Sequence, residues 1–82
     1  MTAINIILYH DNGVKFYEGE LNNNIPHGEG TEYYYNGQTK YIGSWKNGEY
    51  HGQGIRYYGY GNNLKFYEGQ WQDNKAHGNG IL

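Results

Sequence analysis

Three stretches of this chain align with one another at fixed offsets. Set on Tyr17, Tyr41 and Tyr67, they share a glycine two residues on (Gly19, Gly43, Gly69) and a large apolar residue four on (Leu21, Trp45, Trp71). Further along come His27, His51 and His77, then Gly28, Gly52 and Gly78, then Gly30, Gly54 and Gly80, each at the same offset in every copy. The periods are 24 and 26 residues, in the range where self-similarity marks a repeat architecture. A unit this short cannot close a core alone, so neighbouring units must stack. The sequence divides as one domain over residues 1–82: a half unit 1–16, units 17–40 and 41–66, and a truncated unit 67–82.

The punctuation says what the unit is. Asn12-Gly13, Asn23-Asn24, Asn36-Gly37, Asn47-Gly48, Asn62-Asn63 and Asp73-Asn74 recur at a regular beat. Asn, Asp and Gly tolerate the positive φ that hairpin turns require. Between them lie short segments rich in Tyr, Ile, Phe, Trp and Thr, all β-prone. Seven strands are expected, over 4–9, 15–21, 28–35, 40–46, 52–58, 65–71 and 78–82. No segment has a helical apolar period. The two extra residues of the longer period fall near Gly59-Tyr60, beside a turn. The fold expected is an all-β, elongated, single-layer, twisted antiparallel meander of stacked hairpins.

Composition explains how such a sheet is held. Val, Ile, Leu and Phe total only fourteen of 82 residues, too few for an aliphatic core, but there are 11 Tyr and 2 Trp. Aromatic rings are the packing material. By alternation Tyr17, Gly19 and Leu21 share a face with their counterparts in the other units, and Glu18, Glu20, Ile42, Ser44, Glu68 and Gln70 take the other. Strand glycines are weak unless covered, so rings from neighbouring strands are expected to lie over them.

The pattern Tyr-x-Gly-x-Trp followed by His-Gly-x-Gly, best seen over Tyr41–Gly54, resembles the MORN (membrane occupation and recognition nexus) repeat. The likeness spans essentially the whole chain. It implies hairpins stacked into a twisted antiparallel sheet with a grooved face, and the structural positions are Tyr17, Gly19, Gly28, Gly30, Tyr41, Gly43, Gly52, Gly54, Tyr67, Gly69, Gly78 and Gly80. Leu21 in place of Trp, and Ile25-Pro26 where the other copies have Glu49-Tyr50 and Lys75-Ala76, depart from the pattern. The apolar Ile4–Tyr9 strand reads as an open edge of the kind that pairs with another chain.

Chemistry is sparse. With Cys 0 there is no disulfide, thiolate or Cys-based zinc site. The aligned histidines suggest a metal, but equivalent positions two strands apart stand about 9.6 Å from one another, too far to share an ion. Glu18 and Glu20 lack a desolvated setting for acid–base work, the lone Ser44 has no base placed by spacing, and the Gly-x-Gly pairs lack the third glycine and helix of a dinucleotide loop. Neither catalytic residues nor a cofactor are expected, and a net charge of −2 gives no reason to expect nucleic acid.

The reading is a non-catalytic interaction or scaffold module. Its partner would be a peptide, a helix or a second protomer, held in an aromatic groove (Tyr34, Trp45, Tyr50, Tyr58, Trp71) and at the open sheet edges. Tyr34 and Tyr50 are expected to be exposed. The alternative is peripheral association with anionic lipids such as phosphoinositides through Lys15, Lys40 and Lys65. No secretory signal or apolar run of membrane-spanning length is visible, so a cytoplasmic site is expected, peripheral on membrane or cytoskeleton in the alternative reading.

Overall fold

The computed structural model describes residues 5–62 and 64–81. They form one antiparallel sheet in sequential order: β1 (Ile6–Tyr9), β2 (Lys15–Asn22), β3 (Ile25–Tyr33), β4 (Thr39–Lys46), β5 (Glu49–Tyr57), β6 (Lys65–Gln72) and β7 (Lys75–Ile81). The meander of stacked hairpins is as expected. Its Cα extents are 31 × 30 × 19 Å, and each further hairpin would add about 10 Å across the strands.

Two kinds of connection alternate. After β2, β4 and β6 the turn is only two residues, with both φ values positive: Asn23 53° and Asn24 64°, Asn47 52° and Gly48 83°, Asp73 51° and Asn74 68°. That geometry matches the twist of the flanking strands, so pairing resumes at once. β3, β5 and β7 therefore begin at Ile25, Glu49 and Lys75, three residues before the starts read from the sequence. Pro26 and Ala76 hid them, since neither is a strand-former. The other connections, 10–14, 34–38 and 58–64, are longer, and the two extra residues fall in the last of them. Residue 4, Asn63 and Leu82 lie outside the described residues.

The His-Gly-x-Gly signature is a bulge. Gly19 pairs with Gly30 and Leu21 with Pro26, so His27-Gly28-Glu29 bulges opposite Glu20 alone. The same shift recurs between β4 and β5 and between β6 and β7. Gly28, Gly52 and Gly78 have φ of 88°, 84° and 69°, a left-handed turn of the chain that glycine makes without steric cost. The histidines thus sit inside bulged strands rather than at a loop-to-strand junction.

Register lines the repeat up into rows. Gly19, Gly30, Gly43, Gly54, Gly69 and Gly80 form an unbroken glycine row across six strands. Leu8, Tyr17, Glu32, Tyr41, Arg56 and Tyr67 make a row beside it. Each tyrosine leans over the glycine row: a methyl group on Gly30, Gly54 or Gly80 would overlap the ring of Tyr17, Tyr41 or Tyr67 respectively. The covering ring stands on the neighbouring strand, as the sequence suggested, and that strand is the partner within the glycine's own hairpin. The tyrosine hydroxyl ends on its own strand, Tyr17 donating to Glu20 O at 2.7 Å and Tyr41 to Ser44 O at 2.9 Å.

Tryptophan joins the hairpins. Trp45 Nε1 donates to Gly30 O and Trp71 Nε1 to Gly54 O, both at 3.1 Å, and each accepting glycine belongs to the preceding unit. Tyr17, Trp45, Tyr41, Trp71 and Tyr67 form a zigzag of edge-to-face contacts with centroids 5.2–5.6 Å apart. The buried core is this zigzag plus Tyr50, with Leu8 and Leu21 packed against it.

A candidate interaction face

The aromatic face is built from positions that alternate with the polar ones. Tyr41 and Tyr50 stack nearly parallel, with centroids 3.9 Å apart and planes at 9°. Trp45 and Trp71 close on Tyr50 from either side, at 5.0 and 5.3 Å. Tyr50 is thus 8% exposed, part of the core rather than the exposed groove position the sequence suggested. Its counterparts Pro26 and Ala76 have no aromatic ring, so the repeat pattern carried no sign of the stack.

Three of the five groove residues, Trp45, Tyr50 and Trp71, meet in this cluster. Tyr34 and Tyr58 do not join it. Tyr34 lies in the 34–38 loop, half-buried, and donates to Tyr57 O at 2.7 Å. Tyr58 packs against Tyr60 and Phe66, each with centroids 5.3 Å away.

Over the cluster opens a recess of about 330 Å³ lined by Glu32, Lys40, Trp45, Gly48, Tyr50, Arg56 and Asn74. Glu32 and Arg56 come from the tyrosine row, one on each side of Tyr41. Reading the motif alone missed both. They stand two residues after Gly30 and Gly54 and so share the glycine face, which alternation could have shown. Glu32 accepts from the Tyr50 hydroxyl at 2.6 Å and pairs with Lys40 at 3.7 Å. Arg56 lies 5.5 Å from the Phe66 ring centroid and, among the described residues, forms no ion pair. Burial pushes the Tyr50 phenol well above its usual range, and the Glu32 hydrogen bond adds to this. Tyr41 is raised chiefly by burial, and Tyr17 is pushed up to about 12, again chiefly by burial.

The three lysines do not form a ladder. Lys15 and Lys65 reach Glu18 and Glu68 at 2.9 and 3.0 Å, on the face opposite the rings. Lys40, at a bulge, turns to Glu32 on the aromatic face. Every one of them has a carboxylate beside it.

The histidines stand apart. His27 Nδ1 accepts from Asn47 N at 3.3 Å, helping to dock the next unit's turn. Ser44 donates to Glu29. Glu20 accepts the bulge amide of Glu29 at 2.8 Å, which occupies it structurally. Among the described residues no group of three or more His, Asp or Glu is placed to hold a metal ion, and no helix is long and apolar enough to cross a membrane.

An open sheet grown by like hairpins, the later two stapled to the one before by an indole, defines a β-hairpin repeat protein. The MORN repeat profile matches residues 17–39, 41–62 and 67–82, most of the chain. The chain belongs to the MORN repeat family, a non-catalytic repeat family whose units generally mediate interactions with proteins or membrane lipids. Comparison with curated protein sequences gives no match.

Proposed function

We propose that the chain is a non-catalytic interaction module that holds a peptide, a helix or a second protomer on its aromatic face and at its sheet edges. The observation that carries this is Arg56. Among the described residues its guanidinium has no carboxylate partner, and it stands beside a recess whose floor is a buried ring cluster. A partner side chain bearing a carboxylate would pair with it in a half-enclosed setting, where a charge-assisted hydrogen bond is stronger than in open water. The stacked rings cannot move aside, so a partner meets a preformed surface and little ordering cost is added on binding.

Affinity capture from the native source, with mass measurement of the intact complex, tests it. Wild type and Arg56→Glu are run side by side. Loss of the captured partner from a variant that unfolds at the same temperature as wild type supports the reading. Equal capture by both would refute it.

The lipid reading has less behind it. Lys15, Lys40 and Lys65 are each neutralised by a glutamate and do not share one face. An anionic membrane attracts clustered basic residues without acidic neighbours.

A further inference from the structure

We infer that the face opposite the rings is the contact surface of a two-fold symmetric dimer of this chain. This goes beyond the reading above, which concerns the aromatic face and the sheet edges.

Register and alternation set out that face in two neighbouring rows across β2 to β6. One row holds Glu18, Thr31, Ile42, Ile55 and Glu68. The other holds Lys15, Tyr33, Thr39, Tyr57 and Lys65, with Lys15 Nζ 5.1 Å from the Tyr33 ring centroid. The middle of the two rows is tyrosine, isoleucine and threonine. Their ends are charged, Lys15 on Glu18 at 2.9 Å and Lys65 on Glu68 at 3.0 Å. Ile42 is 41% exposed, and Tyr33, Ile55 and Tyr57 are half-buried. Among the described residues the sheet is a single layer, with no element packed over this face. A continuous half-exposed apolar patch with a polar rim marks an interaction surface.

The placing of the charges says what the partner is. Let a second copy be turned over about an axis that runs across the strands, between the two rows. Each strand then lies over its own counterpart, and each row meets the other row. Lys15 faces Glu18 of the second copy and Lys65 faces its Glu68, so four charges alternate in sign at each end of the contact. Between them Tyr33 meets Thr31, Thr39 meets Ile42 and Tyr57 meets Ile55. Turning the copy about an axis along the strands would instead set Lys15 against Lys65 and Glu18 against Glu68, which like-charge repulsion disfavours. The patch is thus complementary to itself in one orientation, and a two-fold contact closes at two subunits. Face-to-face sheets pack about 10 Å apart with strands within about 30° of each other, a gap that lysine side chains can bridge. The long extents of 31 and 30 Å give a face of about 900 Å², against about 800 Å² per partner in a stable complex.

Sedimentation equilibrium of the full chain over a concentration series, at physiological salt, tests this. Wild type should move from 9.5 kDa to twice that mass as concentration rises. One double variant, Glu18→Lys with Glu68→Lys, leaves only lysine at the ends of the patch; its opposite, Lys15→Glu with Lys65→Glu, leaves only glutamate. Each alone should dimerise about tenfold more weakly than wild type or worse, and an equimolar mixture of the two should recover the dimer. Ile42→Asp, at an exposed position, should weaken the dimer likewise, and it serves where a double variant loses its β-sheet dichroism. Arg56→Glu, on the other face, should dimerise as wild type does. A wild type still monomeric at about 1 mM, or a mixture that associates no better than its components, would overturn the proposal. So would a dimer lost in Arg56→Glu and kept in Ile42→Asp, an outcome that would put the second copy on the aromatic face and leave the recess reading standing.

Discussion

Replacing Gly54 by alanine tests the packing argument at its centre. Gly54 is buried in β5 and its φ is not in the left-handed region, so an alanine backbone fits there without strain. The obstacle is Tyr41, whose hydroxyl and ring occupy the space a methyl group needs. To make room the phenol must swing. It then gives up the hydrogen bond to Ser44 O, about 0.5–1.5 kcal/mol, and the stack on Tyr50, about 0.5–1.5 kcal/mol. Disturbed contacts with Trp45 and Trp71 add to that, so a loss of about 2–4 kcal/mol is expected. With Tyr41→Ala in the background the space is open, and Gly54→Ala should be neutral or stabilising by about 0.5 kcal/mol through the unfolded chain. Urea unfolding followed by far-UV dichroism gives the double-mutant cycle, with a coupling of about 2–3 kcal/mol expected between the two sites. Should Tyr41→Ala leave too little fold to measure, Gly80→Ala serves instead. Among the described residues Tyr67 has no partner for its hydroxyl, so the same methyl should cost less there than at Gly54. Equal losses from Gly54→Ala in both backgrounds, or a larger loss at Gly80 than at Gly54, would refute the account.

Three further outcomes follow from the same contacts. Trp45→Phe keeps a ring but removes the donor to Gly30 O, and should lower stability by about 1–2 kcal/mol, or several degrees in Tm; no change in Tm would show that the indole staple contributes nothing. Glu20→Ala should cost about 1 kcal/mol by leaving the Glu29 bulge amide without its carboxylate, and Glu20→Gln should recover most of it, as read by chemical denaturation. The buried phenols set an alkaline limit: the folded state holds the protons of Tyr17, Tyr41 and Tyr50 above the ordinary tyrosine pKa of about 10, so the stability they confer is complete below about pH 10 and is lost as pH rises through about 12, where Tyr17 itself titrates. Tyrosinate absorbance of these residues should rise together with loss of the β-sheet dichroism, and tyrosines all titrating near pH 10 in an intact sheet would contradict it.

What the sequence made legible, and what it hid, divide along one line. Tyr41, Gly43 and Trp45 could be read because each contact they make is repeated at the same offset in another unit, and repetition turned a packing interaction into a visible pattern. Tyr50 could not be read, because Trp71 is brought to it by the stacking of two units and its counterparts are Pro26 and Ala76. Lys40 was misplaced for a related reason: it stands at a bulge, one position out of register with Lys15 and Lys65, so counting along the chain put it in a row it does not occupy. The two classes of position also differ in what they can do. Tyrosine, glycine and tryptophan at the repeated offsets are consumed by covering backbone and joining hairpins, so they cannot also distinguish one partner from another without loosening the sheet. Selectivity has to come from positions free to differ between units, and the recess gathers several of them: Glu32, Lys40, Tyr50 and Arg56. Leu8 occupies in β1 the place of Glu32 and Arg56, and Phe16 and Phe66 that of Lys40. The charged, ring-floored recess is therefore made where unit 17–40 meets unit 41–66, with Asn74 added by the next. A chain built by repeating any single one of these units would keep the sheet and lose the recess.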